Sequence, residues 1–466
     1  MVQKIKFGTD GWRAIIADDY TVANVKRVAE ATAKWLISTG GKSVVIGHDC
    51  RFAGDLFAET TACVMGTYGI HVHLAQGIVS TPMVSLGVVR LKADAGIVIT
   101  ASHNPHTYNG YKLKSSVGGP MLPAQIEEVE SYIEDTFTKE LHSMDELLAA
   151  GLVTYAPLED MYVAHAEASF DLDAIKNSNI RLAYDAMYGA GQRALARLLP
   201  NAIMLHCDEN PGFHGQAPEP IHRNLLELSN LIKSDPTISV GLANDGDADR
   251  IGMYDENGNF VDSHHILLML LVYMYEMKGL RGKVAVTFSV TEKMIDLAKR
   301  YNLDYTVTKI GFKYLAEIMA EEDVLVAGEE SGGLAVKGHI PERDGIWIGL
   351  VILEYMAKSG KTLSTIIQEV YDLVGSFAFD RYDLHVKEET KQAIVAKCKA
   401  KGFTQFGEYQ VSQYEDIDGW KMTFETGKWI MIRASGTEPV LRVYAQAPTH
   451  AEVITILEAA KKELLG

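Results

Sequence analysis

Short, almost wholly apolar runs alternate along this chain with longer stretches whose apolar residues recur at helical spacing. Six runs read as buried strands: Ser43–Asp49, Ala95–Thr100, Ile180–Asp185, Ile238–Ala243, Lys283–Thr287 and Asp323–Ala327. Strands of this kind, separated by helices, predict α/β layers around parallel or mixed sheets. They fall into three pairs. The second member of each pair runs into a loop dense in glycine and polar side chains: Thr100–Pro105, Asn244–Arg250 and Gly328–Gly333. A weak threefold repeat follows, with units at 1–145, 150–255 and 256–370. The last hundred residues differ. Ala378–Leu384 and Trp429–Arg433 alternate, Val440–Tyr444 follows, and Ala451–Leu465 reads as a terminal helix. This predicts a smaller α+β domain with an antiparallel sheet at 375–466. In open α/β sheets ligands bind beyond the carboxyl ends of strands, where these loops lie.

Length alone, at roughly 150 residues per domain, suggests about three domains for 466 residues; the pattern raises this to four. Lys plus Arg number 44 and Asp plus Glu 61, a net charge of −17. An acidic chain is a poor non-specific binder of nucleic acid, and an anionic substrate would need local positive charge. None of Cys50, Cys63, Cys207 and Cys398 forms a C-x-x-C pair, so neither a zinc knuckle nor a disulfide framework is expected. The opening residues lack an apolar signal core, so secretion is not expected. Ile266–Tyr275, the longest near-continuous apolar run, is about half of the roughly 20 residues a spanning helix needs, and reads as a core helix. The expected setting is cytoplasmic, with no membrane partner.

Three aspartates, Asp245, Asp247 and Asp249, alternate with small residues just after a strand. Carboxylates so close repel one another unless a cation neutralises them. An EF-hand fails, because its sixth position must be glycine and is Arg250. A three-carboxylate site with open positions suits Mg²⁺; the competing reading is a solvated acidic turn. Ser102 ends a buried strand and precedes His103, Asn104 and Pro105, and proline restricts Asn104 to extended geometry. A serine beside a histidine can be a nucleophile, or simply a turn residue. No G-x-S-x-G elbow is present. Lys112, in Tyr108–Lys112, could fold over the same site or be a solvated lysine.

Arg433–Pro439 sets an arginine and two hydroxyls around a glycine, a cradle for phosphate or a hairpin turn. Gly328–Gly333 combines acceptors and a hydroxyl that suit a polyol. His339, His264 and His265 read as structural. Gly189–Ala194 fits G-x-G-x-x-A, with Asp208 and Glu209 where a ribose-binding acid would be. Four residues separate its first glycine from the strand core, which argues against a dinucleotide site.

Together these loops resemble the α-D-phosphohexomutases, the phosphoglucomutase/phosphomannomutase superfamily, and most of all phosphoglucomutase. The resemblance spans essentially the whole length. It rests on Phe7–Arg13, Thr100–Pro105, Asp245–Arg250, Gly328–Gly333 and Arg433–Pro439, in the family's order. It implies three related α/β/α mixed-sheet domains plus a smaller C-terminal α+β domain around a central cleft. Carried over by position, it implies that Ser102 is phosphorylated and that Asp245, Asp247 and Asp249 bind Mg²⁺ with a phosphoserine oxygen. Arg13, His103, Lys112 and Arg250 would surround the transferring phosphoryl group. Glu329 and Ser331 would hold sugar hydroxyls, Arg343 a phosphate or sugar group, and Arg433, Ser435, Gly436 and Thr437 the resident phosphate. The implied reaction moves a phosphoryl group between C1 and C6 of glucose phosphate through glucose 1,6-bisphosphate, in a monomer or homodimer. Phosphomannomutase activity is the alternative, and phosphoglucosamine mutase stands behind it. A non-catalytic sugar-phosphate sensor is the competing class. Two positions depart from the family pattern: Gly333 stands where many members have histidine, and Phe312 where some do.

Overall fold

The computed structural model describes residues 4–8, 11–425, 427–434 and 440–466. The chain divides into two compact units, Met1–Lys283 with Gly311–Ile366, and Val284–Ile310 with Ile367–Gly466.

The first unit holds a six-stranded sheet in the order Trp12–Ile15, Tyr108–Ser115, Ala95–Ile99, Ser43–His48, His71–Ile78, Val153–Ala156. Ala95–Ile99 is buried at every position, as a strand covered on both faces must be. It runs parallel to Ser43–His48 and antiparallel to Tyr108–Ser115, so residues 100–107 connect two antiparallel neighbours. A second sheet has the order Phe260–Val261, Ile251–Tyr254, Val240–Asn244, Leu182–Asp185, Ile203–Leu205. Here Val240–Asn244 is parallel to Leu182–Asp185 and antiparallel to Ile251–Tyr254, which makes 245–250 the connection. Val324–Gly328 pairs antiparallel with Leu334–Val336 across 329–333.

The expected repeat therefore has a specific form. Each chemistry-bearing loop turns the chain from a strand into its antiparallel partner. In the second unit Trp429–Ala434 and Val440–Ala447 are antiparallel neighbours. Ser435, Gly436 and Thr437 lie outside the described residues.

Two helix starts aim side chains at these loops. Ser80 caps Thr81–Leu91 by accepting from Met83 N, which puts Thr81 in the first turn. Asp344 caps Gly345–Ser359 by accepting from Trp347 N, fixing the chain just after Arg343. The expected core helix is Ser263–Val272, continued by a wider turn at Tyr273–Met277.

In the second unit, Val284 to Thr287 pair in parallel with Tyr305 to Thr308. The C-terminal sheet is antiparallel, in the order Ala378–His385, Val440–Ala447, Trp429–Ala434, Trp420–Thr423, Gln413–Glu415, with His450–Leu465 packed on it. The alternation expected in Trp429–Arg433 is absent, because both faces are covered. Ile430 and Ile432 enter the core beneath the terminal helix, while Trp429 and Met431 pack with Phe288 and Tyr444. Ala378–His385 keeps its alternation: Ala378, Tyr382 and Leu384 pack on the core beneath the terminal helix, while Phe379 joins the cluster on the other face. All four cysteines are free thiols.

Candidate active site around Ser102 and the aspartate loop

Ser102 is 1% exposed and sits in the left-handed region at φ 52°. A β-carbon makes that conformation unfavourable by about 1–2 kcal/mol, so its surroundings must hold it. Ser102 N donates to Thr100 Oγ1 at 2.9 Å, and Thr100 Oγ1 donates to Asp49 Oδ2 at 2.5 Å. The Arg51 guanidinium then donates to four loop carbonyls: Ser102 at 2.7 Å, Asn104 at 2.6 Å, and Pro105 and Tyr108 at 2.9 Å each. Arg51 is ion-paired to buried Asp49 at 3.3 Å and lies over the Phe213 ring at 5.0 Å. The loop is thus clamped with Ser102 Oγ donating to Asp245 Oδ2 at 2.6 Å. The two loops touch through backbone, since a β-carbon on Gly246 would lie 2.6 Å from Ser102 O.

Asp245, Asp247 and Asp249 are fully buried, and one carboxylate oxygen from each lies within 4.8 Å of the others. Asp247 Oδ2 accepts from Thr81 Oγ1 at 2.5 Å and Lys112 Nζ at 2.8 Å; Asp249 Oδ2 is 3.1 Å from Lys112 Nζ and 2.8 Å from Arg343 Nη2. Asp247 Oδ1 and Asp249 Oδ1 are buried and meet no hydrogen-bond donor among the described residues. Two orphaned, buried carboxylate oxygens beside a third carboxylate fit a hard divalent cation such as Mg²⁺. Burial, reinforced by Asp247 and Asp249, pushes the Asp245 carboxyl well above the usual range. Burial acts the same way on Asp247, but Lys112 and Thr81 outweigh it and hold that carboxyl far below. An ion at this site would remove the repulsion that raises Asp245.

His103 Nδ1 lies 3.4 Å from Ser102 Oγ. Burial, then the charges of Arg250 and Arg13, push its pKa well below 6.5, so the ring is neutral near pH 7. Arg13 Nη1 donates to Asn104 Oδ1 at 2.6 Å. Arg250 N donates to Asp245 Oδ1 at 3.0 Å, and its buried Nε has no hydrogen-bond acceptor among the described residues. Lys112 is wholly buried, which rules out the solvated-lysine reading. Glu329 accepts from Ser331 Oγ at 2.8 Å and faces Arg343 Nη1 at 3.7 Å; burial raises its pKa against the pull of Arg343. Arg433, in the second unit, is paired with Asp418 at 3.4 Å.

Within the first unit most of the charged side chains near Ser102 are paired with one another. Arg51, Lys112, Lys114, Arg250 and Arg343 are matched by Asp49, Asp247, Asp249, Glu329 and Glu342, while Asp245 faces Arg250 N. A divalent ion bound by the aspartates would add positive charge beside Ser102.

The departure at Gly333 has a steric cause. A β-carbon there would lie 2.4 Å from Arg343 Cδ, so the arginine stem fills the space a side chain would need. The Arg343 guanidinium also lies over Phe312 at 5.3 Å. The glycines of the dinucleotide-like stretch have other uses. A β-carbon on Gly189 would lie 2.7 Å from Asp245 O, and one on Gly191 2.3 Å from Tyr184 Oη. His339 stacks on Trp347 at 3.8 Å and bonds Asp344, as a structural histidine would. Asp49, Arg51, Thr81, Lys114 and Glu342 escaped the sequence reading. Only Asp49 and Arg51, at the polar end of a buried strand, carried a local signal.

The fold and site define a class: multidomain α/β proteins that set a serine hydroxyl against a carboxylate cation site. All four domains of the phosphoglucomutase/phosphomannomutase family match: alpha/beta/alpha domain I at residues 4–140, II at 160–258, III at 262–374, and the C-terminal domain at 384–462. A phosphoglucomutase/phosphomannomutase of Thermococcus kodakarensis is 30% identical, covering 98% of each chain. A "Probable phosphoglucosamine mutase" of Methanosphaera stadtmanae is also 30% identical, covering 99% of this chain and 98% of its own. A crystal structure from Thermus thermophilus, named for phosphomannomutase, is 33% identical over the whole of both chains, with a TM-score of 0.89. The chain belongs to the α-D-phosphohexomutase superfamily and is an intramolecular phosphotransferase. Among the described residues no helix is long and apolar enough to cross a membrane.

Proposed function

We propose that the protein moves a phosphoryl group between C1 and C6 of a hexose phosphate, with glucose phosphate as the preferred substrate. Phosphorylated Ser102 gives its phosphoryl group to the free hydroxyl of the hexose monophosphate. The resulting bisphosphate turns around, and its other phosphate returns to Ser102. Glucose 1,6-bisphosphate is accordingly both intermediate and activator. Asp245, Asp247 and Asp249 would hold Mg²⁺, which supplies neutralising charge beside the serine. Phosphoryl transfer depends chiefly on positioning and charge neutralisation. Lys112, Arg13 and Arg250 offer cationic groups around Ser102, and neutral His103 can accept a proton at its ring nitrogen. Glu329 and Ser331 accept sugar hydroxyls, and Arg343 reaches the same space. Arg433, Ser435, Gly436 and Thr437 take the resident phosphate.

One observation carries this reading: Ser102 is held in a strained conformation that aims its Oγ, at 2.6 Å, onto Asp245 of the triad. A pure sugar-phosphate sensor would need neither the strain nor the triad. The partner is a small hexose phosphate, with no nucleic acid or membrane, in a cytoplasmic monomer or homodimer. A second reading, glucosamine phosphate, is favoured by the names of several relatives. The test is conversion of glucose 1-phosphate with Mg²⁺ and a trace of glucose 1,6-bisphosphate. Equal activity of wild type and Ser102→Ala sinks the mechanism. The kcat/KM ratios for glucose, mannose and glucosamine phosphates decide the sugar.

A further inference from the structure

Lys112 and Lys114 lie two residues apart on the strand Tyr108–Ser115, so both point to one face of the sheet. Lys112 meets the aspartate loop. Lys114, equally buried, reaches Glu342 Oε2 at 2.6 Å, and neither side chain of that pair has any exposure. Glu342 Oε2 also faces Ser85 Oγ at 3.4 Å. Its other oxygen is turned to Arg343, accepting from the backbone N at 3.0 Å and lying 3.5 Å from Nε. The far end of Arg343 reaches Asp249 Oδ2 at 2.8 Å and Glu329 Oε1 at 3.7 Å. The series Lys114, Glu342, Arg343, Asp249, Lys112 therefore closes on the strand where it began.

Two close approaches fix this ring sterically. A β-carbon on Gly119 would lie 2.8 Å from Pro341 O, so the turn after Lys114 packs against the backbone just before Glu342. The missing side chain at Gly333 leaves the corridor in which the Arg343 stem lies. A fully buried ion pair is a poor device for stability alone, because desolvation offsets its attraction.

We infer that Glu342, held by Lys114, is a positioning residue that sets the Arg343 guanidinium between the metal-site carboxylate Asp249 and the sugar-site carboxylate Glu329. The inference rests on the mutase reading for its catalytic consequence. Its geometric core concerns Arg343 and the aspartate site alone.

The test is a mutant cycle. Lys114→Met with Glu342→Leu removes both charges at once, so no lone charge is left buried. This pair is made in wild type and in Arg343→Ala. Thermal unfolding shows that each variant is folded. Calorimetric titration with Mg²⁺ and steady-state kinetics on hexose 1-phosphate are the readouts. The paired replacement should weaken Mg²⁺ binding and lower kcat by about tenfold to a hundredfold, as loss of groups that orient metal ligands does. In the Arg343→Ala background it should cost nothing further. Lys114→Met with Glu342→Gln, which keeps an acceptor for Arg343, should recover most of the loss. Losses that multiply independently of Arg343 overturn the inference, as does wild-type behaviour of the paired replacement. If the wild type binds Mg²⁺ but turns over no hexose phosphate, the mutase reading falls, and the Mg²⁺ cycle still decides the positioning role.

Discussion

Replacing Arg51 by methionine probes how the serine is held. The guanidinium bonds four carbonyls between Ser102 and Tyr108 and neutralises Asp49, which is 1% exposed. Removing one partner of a buried ion pair costs about 3–5 kcal/mol. The released loop can also relax Ser102 from φ 52°, shedding about 1–2 kcal/mol of strain and turning Oγ away from Asp245. A misplacement of about 1 Å costs roughly a hundredfold in rate, about 2.7 kcal/mol of barrier. The expected result is a net loss of about 1–4 kcal/mol in urea unfolding, the ion-pair cost less the strain released, and a kcat about a hundredfold lower at a temperature where the variant is folded. Arg51→Lys restores the charge beside Asp49 but cannot span four carbonyls, so it should regain stability more than activity.

The pH dependence has a definite sign. Burial raises the folded pKa of Asp49, and Arg51 opposes that rise. A carboxyl raised on folding binds more protons in the folded state, so its destabilising effect grows as pH climbs from the unfolded to the folded pKa. Without Arg51 the folded pKa moves higher still. The stability gap between variant and wild type should therefore narrow as pH falls from neutral toward the unfolded value near 4. An Arg51→Met protein that keeps kcat within a few-fold of wild type refutes the clamp, whatever its stability.

Other perturbations are equally direct. Thr81→Val removes the hydroxyl that donates to Asp247 at 2.5 Å, and calorimetry should show Mg²⁺ affinity falling about tenfold to a hundredfold. Gly333→Ala drives a methyl group into the Arg343 stem, with an expected loss of about 1–3 kcal/mol in denaturant unfolding and a changed ratio of kcat/KM between sugars. Burial lowers the Lys421 pKa from its ordinary 10.5 to about 8 against the pull of Glu292 and Glu415, a destabilisation on the order of 3 kcal/mol. The folded state sheds this proton first, so the cost is present below pH 8 and fades as pH rises to 10.5. Lys421→Met should raise the melting temperature at about pH 7 and lose that advantage above about pH 10.

The residues that were legible in the sequence share a local cause. Asp245, Asp247 and Asp249 crowd one turn after one strand, so spacing alone brings the three carboxylates together; Ser102 ends another strand and by itself reads equally as a turn residue, so its role came from the resemblance. The strand cores were legible because a doubly covered strand cannot alternate. The same rule explains the failure at Trp429–Arg433, whose second face is covered by Phe288, far away in sequence. Long-range partners were not legible. Thr81 reaches Asp247 across 166 positions and Lys114 reaches Glu342 across 228, and no local pattern marks either pair. Gly333 read as a missing histidine because its neighbour Arg343 becomes visible only once the chain folds.

Everything proposed for the reaction rests on Ser102 carrying the group that moves. The most direct measurement loads Ser102 with labelled phosphoryl, adds unlabelled hexose 1-phosphate in a single turnover with Mg²⁺, and follows the label. Label should leave Ser102 and appear first in the hexose bisphosphate and then in the 6-phosphate. Label that stays on the protein while product forms, or product formation by Ser102→Ala, would contradict it.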